Sequence, residues 1–142
     1  MNHKFFSADL FSKDLNGWDV ASVVNTRLMF KNTATFDADV SSWVTSAVKN
    51  MKDMFRTTAS FNRPLAFDTS SVTEMTHMFS AAQAFNPPTL AFDTGSVTRM
   101  DGMFYNAVAF NADLSGWDVG KVTKYAGFSV GSALASSNLP SF

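Results

Sequence analysis

The chain contains no cysteine. That excludes disulfides, thiolate metal sites, a cysteine nucleophile and a cysteine-linked lipid, while leaving the redox compartment open. Glutamate is almost missing too: of the twelve acidic residues only Glu74 is Glu, and the rest are Asp. Excess charge of one sign is absent, because eleven basic residues face twelve acidic ones for a formal net charge of −1. A strongly basic nucleic-acid binder is thereby excluded, since nothing is left over to neutralise a phosphate backbone. No apolar run approaches the ~20 residues of a membrane-spanning helix. No charged segment followed by an apolar one comes after Met1, so no secretory leader is expected. Catalytic signatures are lacking as well. The seven glycines form no phosphate-cradling loop, the two histidines (His3 and His77) sit in no metal-binding spacing, and no Gly-x-Ser-x-Gly occurs. The expectation is a non-enzymatic chain that needs no cofactor and no metal.

What is present is a repeat. Written in rows of about 25 residues, the chain aligns on Phe11, Phe36, Phe61, Phe85 and Phe110, spaced 25, 25, 24 and 25. An apolar slot follows at Leu15, Val40, Leu65, Leu90 and Leu114, then an aromatic at Trp18, Trp43, Phe67, Phe92 and Trp117. Val23, Val48, Val72, Val97 and Val122 come next, then Thr26, Met51, Met75, Met100 and Tyr125. The row closes on Met29-Phe30, Met54-Phe55, Met78-Phe79, Met103-Phe104 and the degenerate Phe128-Ser129. All three Trp share one slot, and seven of the eight Met fall in the Met slots, so these side chains read as core rather than as a cofactor pocket. The expected organisation is one domain over 1–142: a worn N-terminal coil at 1–10, repeats at 11–35, 36–60, 61–84, 85–109 and 110–129, and a cap or tail at 130–142.

The fold expected from the row is an α/β repeat solenoid, about five coils of ~25 residues, each a short strand plus a short helix. Leu65-x-Phe67 and Leu90-x-Phe92 have the period of two that puts both side chains on one face of a strand. Rows one, two and five use a Leu/Val-x-x-Trp spacing instead, which predicts a bulge or a turn beginning before the Trp. Val72, Met75, Met78 and Phe79 lie on one stripe of a helix, and Ser71-x-x-Glu74 has the form of a capping box at its start. The Asp bias fits turns and caps, where a short carboxylate reaches backbone N–H groups better than Glu does. A Ca²⁺ ladder of the same carboxylates is the alternative reading. A polar slot at Ser12, Asp37, Asn62, Asn86 and Asn111 places amides where they can bond backbone groups of the neighbouring coil.

Two stretches carry a resemblance: Phe110-Asn111-Ala112-Asp113-Leu114-Ser115-Gly116-Trp117-Asp118-Val119, and Ser71-Val72-Thr73-Glu74-Met75-Thr76-His77-Met78-Phe79. They resemble the BspA-like leucine-rich repeats of the Mycoplasma-lipoprotein type, a bacterial surface repeat of 26 residues. The resemblance spans roughly residues 5–129. It implies a leucine-rich-repeat-like solenoid, a cell-surface or extracellular location and an adhesin-like or scaffolding role. It carries no activity.

The expected function is therefore a protein–protein interaction module with a protein partner. The alternative is a structural accessory subunit docked on a larger multi-protein complex, for instance in a microbial eukaryote such as an alga. Ligands of repeat proteins meet the variable positions. On the strand side these include Lys13, Asp14, Asp39, Arg63 and Asp113. On the helix side they include Arg27, Lys52, Arg56, His77 and Arg99, whose mixed signs also suit a plain solvated face. Tyr105, just after the Met103-Phe104 pair, is the aromatic expected at the surface.

Overall fold

The row period reappears in the backbone hydrogen bonds of residues 15–142, which a computed structural model of the chain describes. The coil expected at 1–10, together with Phe11, Ser12, Lys13 and Asp14, lies outside the described residues. In row three, Met75, His77, Phe79 and Ala81 donate their N–H groups to the carbonyls of Arg99, Asp101, Met103 and Tyr105 in row four, at 3.0, 2.8, 2.9 and 2.7 Å. The residues between them turn inward on their own row: Met78, Ser80 and Ala82 donate to Met75, His77 and Phe79 at 3.1, 3.2 and 3.1 Å. The backbone thus alternates between a bond to the next row and a tight three-residue turn. The same alternation runs through rows one, two and four, for example from Thr26, Leu28, Phe30 and Asn32 to Asn50, Lys52, Met54 and Arg56.

The expected α/β solenoid is corrected by this pattern. Among the described residues there is no α-helix and no strand. The regular elements are one 3-10 turn, Ser136–Asn138, and isolated parallel bridges joining Asn25, Asn50, Glu74, Arg99 and Lys124 in sequence. The reason is backbone hand. Leu28 and Asn32, Asp53 and Thr57, His77 and Ala81, Gly102 and Asn106, Gly127 and Gly131 all have φ between 53° and 76°. One such residue ends a right-handed helix, and here they recur four apart in every row. The apolar stripe that suggested a helix is nonetheless inward: Val72, Met75, Met78 and Phe79 are fully buried. A succession of turns with alternating hand has placed the same residues in the core. The capping box does not form either. The Glu74 carboxylate accepts the Thr76 N–H at 2.9 Å, as Asn25 and Asn50 accept those of Arg27 and Lys52.

The first half of the row keeps its period of two in burial only. Leu65, Phe67 and Thr69 are buried while Ala66 and Asp68 are exposed, yet no strand pairing accompanies them. The turn expected before each Trp is present: Trp18, Trp43 and Trp117 donate N–H bonds to Leu15, Val40 and Leu114 at 3.0, 3.2 and 3.0 Å.

Two aromatic columns fill the core. Phe30, Phe55, Phe79 and Phe104 follow one another at 5.5, 5.6 and 5.6 Å between ring centroids. Phe36, Phe61, Phe85 and Phe110 do so at 5.6, 5.8 and 5.8 Å. Within a row the two columns touch face to face, as Phe79 and Phe85 do at 4.1 Å and 4°. Offset stacking of this kind adds to what burial alone contributes. Outside the columns the polar slot acts as expected. Asp37, Asn62, Asn86 and Asn111 each accept, through Oδ1, the backbone N–H of Asn62, Asn86, Asn111 and Ala135 one row on, at 3.2, 2.9, 3.0 and 2.8 Å.

Candidate interaction surface

The left-handed residues set what faces out along the second half of the rows. In one column, Asp53, His77, Gly102 and Gly127 succeed one another. A Cβ built on Gly102 would lie 2.4 Å from His77 Cδ2, so the glycine makes room for the imidazole of the preceding row. Gly127 differs, since a Cβ there would meet the Tyr105 ring at an ordinary contact distance of 3.8 Å. Gly102 of row four thus lets the larger His77 of row three lie across it.

This column brings several of the expected surface residues together. Arg56 Nη1 bonds Asp53 Oδ1 at 3.1 Å, and His77 Nδ1 stands 4.0 Å from the same oxygen. Asp53 is buried, so its carboxylate is held beneath the two rather than beside them. One row on, Arg99 Nε lies 3.6 Å from Glu74 Oε2 and its Nη2 3.7 Å from Asp101 Oδ2. Lys52 acts electrostatically on His77 and belongs to the same face. Arg27 is half-buried on the corresponding position of row one, with Nε lacking a hydrogen-bond partner. Tyr105 is 43% exposed and Tyr125, which aligns with the Met slots of the other rows, is 45% exposed.

The imidazole of His77 titrates below the ordinary value of 6.5. Burial is the main cause, Arg56 adds to it, and Asp53 pulls the other way without prevailing. The folded state therefore takes up its proton less readily than the unfolded chain. Stability from this group is complete above pH 6.5 and falls as the pH drops from 6.5 toward the lower folded value. A urea-unfolding series from pH 7.5 to 5 is expected to show that decline, and His77→Gln to flatten it.

The remaining expected residues lie apart from this cluster. Arg63 Nη2 pairs with Asp37 Oδ2 at 2.8 Å, and its Nε donates to the Asp37 carbonyl at 3.0 Å. Asp39 accepts the Ser41 N–H at 2.8 Å and Asp113 that of Ser115 at 2.9 Å. These bonds to Ser41 and Ser115 hold both carboxyl groups below the usual carboxylate range. Asp19, Asp68, Asp93 and Asp118 likewise accept N–H groups two residues on, the turn-capping geometry. Asp113 also lines a shallow groove of about 530 Å³ with Pro88, Leu90, Phe92 and Trp117. Lys13 and Asp14 fall outside the described residues.

The sequence matches the model of a family described as "Mycoplasma protein of unknown function, DUF285", over residues 1–66 and again over 39–142. The chain belongs to that family. The match agrees with the Mycoplasma-type repeat named from the residues, at that coarse level, and not with its leucine-rich-repeat or solenoid features, which the described residues lack. No curated protein and no solved structure matches. Among the described residues no helix is long and apolar enough to cross a membrane.

Proposed function

We propose that this member of a Mycoplasma-type repeat family is a non-enzymatic protein–protein interaction module, adhesin-like or scaffolding, that acts at a cell surface. The observation that carries the reading is the face built by Arg56, His77, Arg99 and Tyr105. Row stacking aligns side chains of three successive rows there, with both charge signs and an exposed aromatic side by side. Arg and Tyr are the residue types that anchor protein interfaces, because they offer large contact areas with a polar end. The buried Asp53 and the Glu74–Asp101 pair hold the two guanidinium groups, so part of their ordering is complete before a partner arrives. Binding energy here comes from presentation of a fixed surface, and no group on this face needs to move a proton or form a bond.

The test is a native pull-down with cross-linking read by mass spectrometry, followed by the double substitution Arg99→Ala, Tyr105→Ala. Captured partners are expected to cross-link through Lys52 or Lys124. Loss of about 2 kcal/mol or more of binding, with little change in unfolding midpoint, is the expected result. Retained binding by the double variant sinks the assignment of this face.

A further inference from the structure

Rows four and five carry an extra residue in different places. Between its polar slot and its Leu slot row four holds Pro87-Pro88-Thr89, three residues where the other rows hold two. Between the Leu slot and the aromatic it holds Ala91 alone, while row five holds Ser115-Gly116. The surplus thus precedes Leu90 in one row and follows Leu114 in the next, and stacking cannot align both. The Trp117 indole bridges the mismatch. It reaches back over row four, stacked on Phe92 at 6.2 Å and 16°, with Nε1 donating to the Leu90 carbonyl at 3.3 Å. Trp43 makes the same reach onto row one, whose spacing equals its own, at 3.0 Å to the Leu15 carbonyl.

The space left between the two rows is the shallow groove of about 530 Å³. Both of its walls are internal to the stack. Row five is itself followed here, since Ala135 N–H bonds Asn111 Oδ1 at 2.8 Å and Leu114 N–H donates to the Asn138 carbonyl at 2.9 Å. Gly116 lines the groove, and a Cβ built on it would meet no atom within 4 Å. Leu90, Phe92 and Trp117 give the groove an apolar wall, and its charges, Asp93 and Asp113, have one sign. Each carboxylate uses Oδ1 on a backbone N–H two residues on, that of Gly95 for Asp93 and Ser115 for Asp113, at 3.0 and 2.9 Å. Among the described residues neither pairs with a lysine or arginine; those ion pairs lie at Asp37, Asp53, Glu74 and Asp101. Asp118 adds to the same field, its Oδ2 and Asp93 Oδ1 standing 3.3 and 3.4 Å from the would-be Cβ of Gly95.

We propose that this groove binds an arginine side chain presented by an exposed segment of a protein partner, its alkyl stem along the apolar wall and its guanidinium between Asp93 and Asp113. Charge complementarity sets the sign of the occupant, because the groove holds carboxylates and no cation. The apolar wall asks for a long stem, and basic side chains bury theirs while the charged head stays in water. Arginine suits it better than lysine. Its planar fork of donors serves two carboxylates at once, whereas the ammonium is a compact, strongly hydrated point charge. A neutral sugar would gain from the aromatic wall and leave the like charges uncompensated. The proposal extends the interaction reading to a second site, which shares no residue with the Arg56–Arg99 face.

The probe is the peptide acetyl-Gly-Ala-Arg-Ala-Gly-amide, titrated into the full chain at low salt, where exposed charges are screened least. NMR follows the Trp117 indole N–H and the Gly95 and Ser115 amides that bond the two carboxylates. Saturable shifts at all three are expected. The same peptide with citrulline, which keeps the shape and loses the charge, should bind about tenfold more weakly, and the lysine peptide about threefold more weakly. Asp93→Asn and Asp113→Asn should each weaken binding about fivefold, since asparagine keeps the turn bond and drops the charge. Gly116→Leu should block the groove with little change in the urea midpoint, and Asp19→Asn, in a turn outside it, should change nothing. Absence of saturable shifts, equal binding of the arginine and citrulline peptides, or binding that survives both Asp→Asn changes overturns the proposal. So do Trp117 shifts that grow with protein concentration alone, which give the groove to a second copy, and saturation by maltohexaose but not by the peptide, which gives it to a sugar. The Arg99→Ala, Tyr105→Ala protein should still take up the peptide, so a failure here is distinguishable from a failure of the charged face.

Discussion

Phe79→Ala should cost about 3–5 kcal/mol, a large part of the stability of a domain this size. The ring is fully buried, sits in one aromatic column and stacks on the other. It meets Phe55 and Phe104 along its own column at 5.6 Å each, and Phe85 across it at 4.1 Å. Truncation removes the transfer energy of a benzyl group and leaves a cavity that fixed rows on either side cannot close. Urea unfolding at neutral pH measures the loss. Phe128→Ala should cost less, because that ring touches Phe104 on one side and only the Phe142 ring on the other. Equal losses at the two positions would mean that the columns are not what the core rests on.

Ala81→Pro should be as damaging, for a different reason. The residue has φ of 55°, which the pyrrolidine ring forbids. Its N–H also donates to the Tyr105 carbonyl at 2.7 Å, one of the bonds that tie row three to row four. Proline removes the donor and demands the opposite hand, and the two penalties together are on the order of 3 kcal/mol or more. Loss of the cooperative transition, or a fall in midpoint comparable with that of Phe79→Ala, is the expected reading. A wild-type midpoint would contradict both the hand and the bond.

The columns were legible because burial leaves its mark in residue type. Twelve of the fifteen Phe and seven of the eight Met stand at fixed spacing and name the inward positions whatever backbone carries them. The amide ladder was legible too, since Asn62, Asn86 and Asn111 recur where only a neighbouring row can supply their partners. The turn before each Trp followed from one extra residue in the Leu/Val-x-x-Trp spacing. Backbone hand was not legible. The left-handed positions are held by Leu28, Asp53, His77 and Ala81 as well as by glycine, and only rows four and five show Gly102, Gly127 and Gly131. The stripe from Val72 to Phe79 fits a helix and a chain of alternating turns equally well, because both bring the third and fourth residue to the same side. What separates them is where the N–H groups go, and that depends on the neighbouring row, not on the row itself. The charged cluster was partly visible: Arg56, His77 and Arg99 were singled out one by one. Asp53 as the buried common base of Arg56 and His77 required the structure.

The central claim is that the second half of each row is a run of turns with alternating hand, bonded outward to its neighbour, and not a helix. Ala81→Gly tests it by the sign of a stability change. In a left-handed position an L-residue carries a penalty of about 1–2 kcal/mol that glycine lacks, partly offset by glycine's larger loss of chain entropy. The variant should therefore be more stable than the parent by about 0.5–1 kcal/mol in urea unfolding. In a helix interior the same substitution costs about 1 kcal/mol, so a destabilised Ala81→Gly protein would contradict the account.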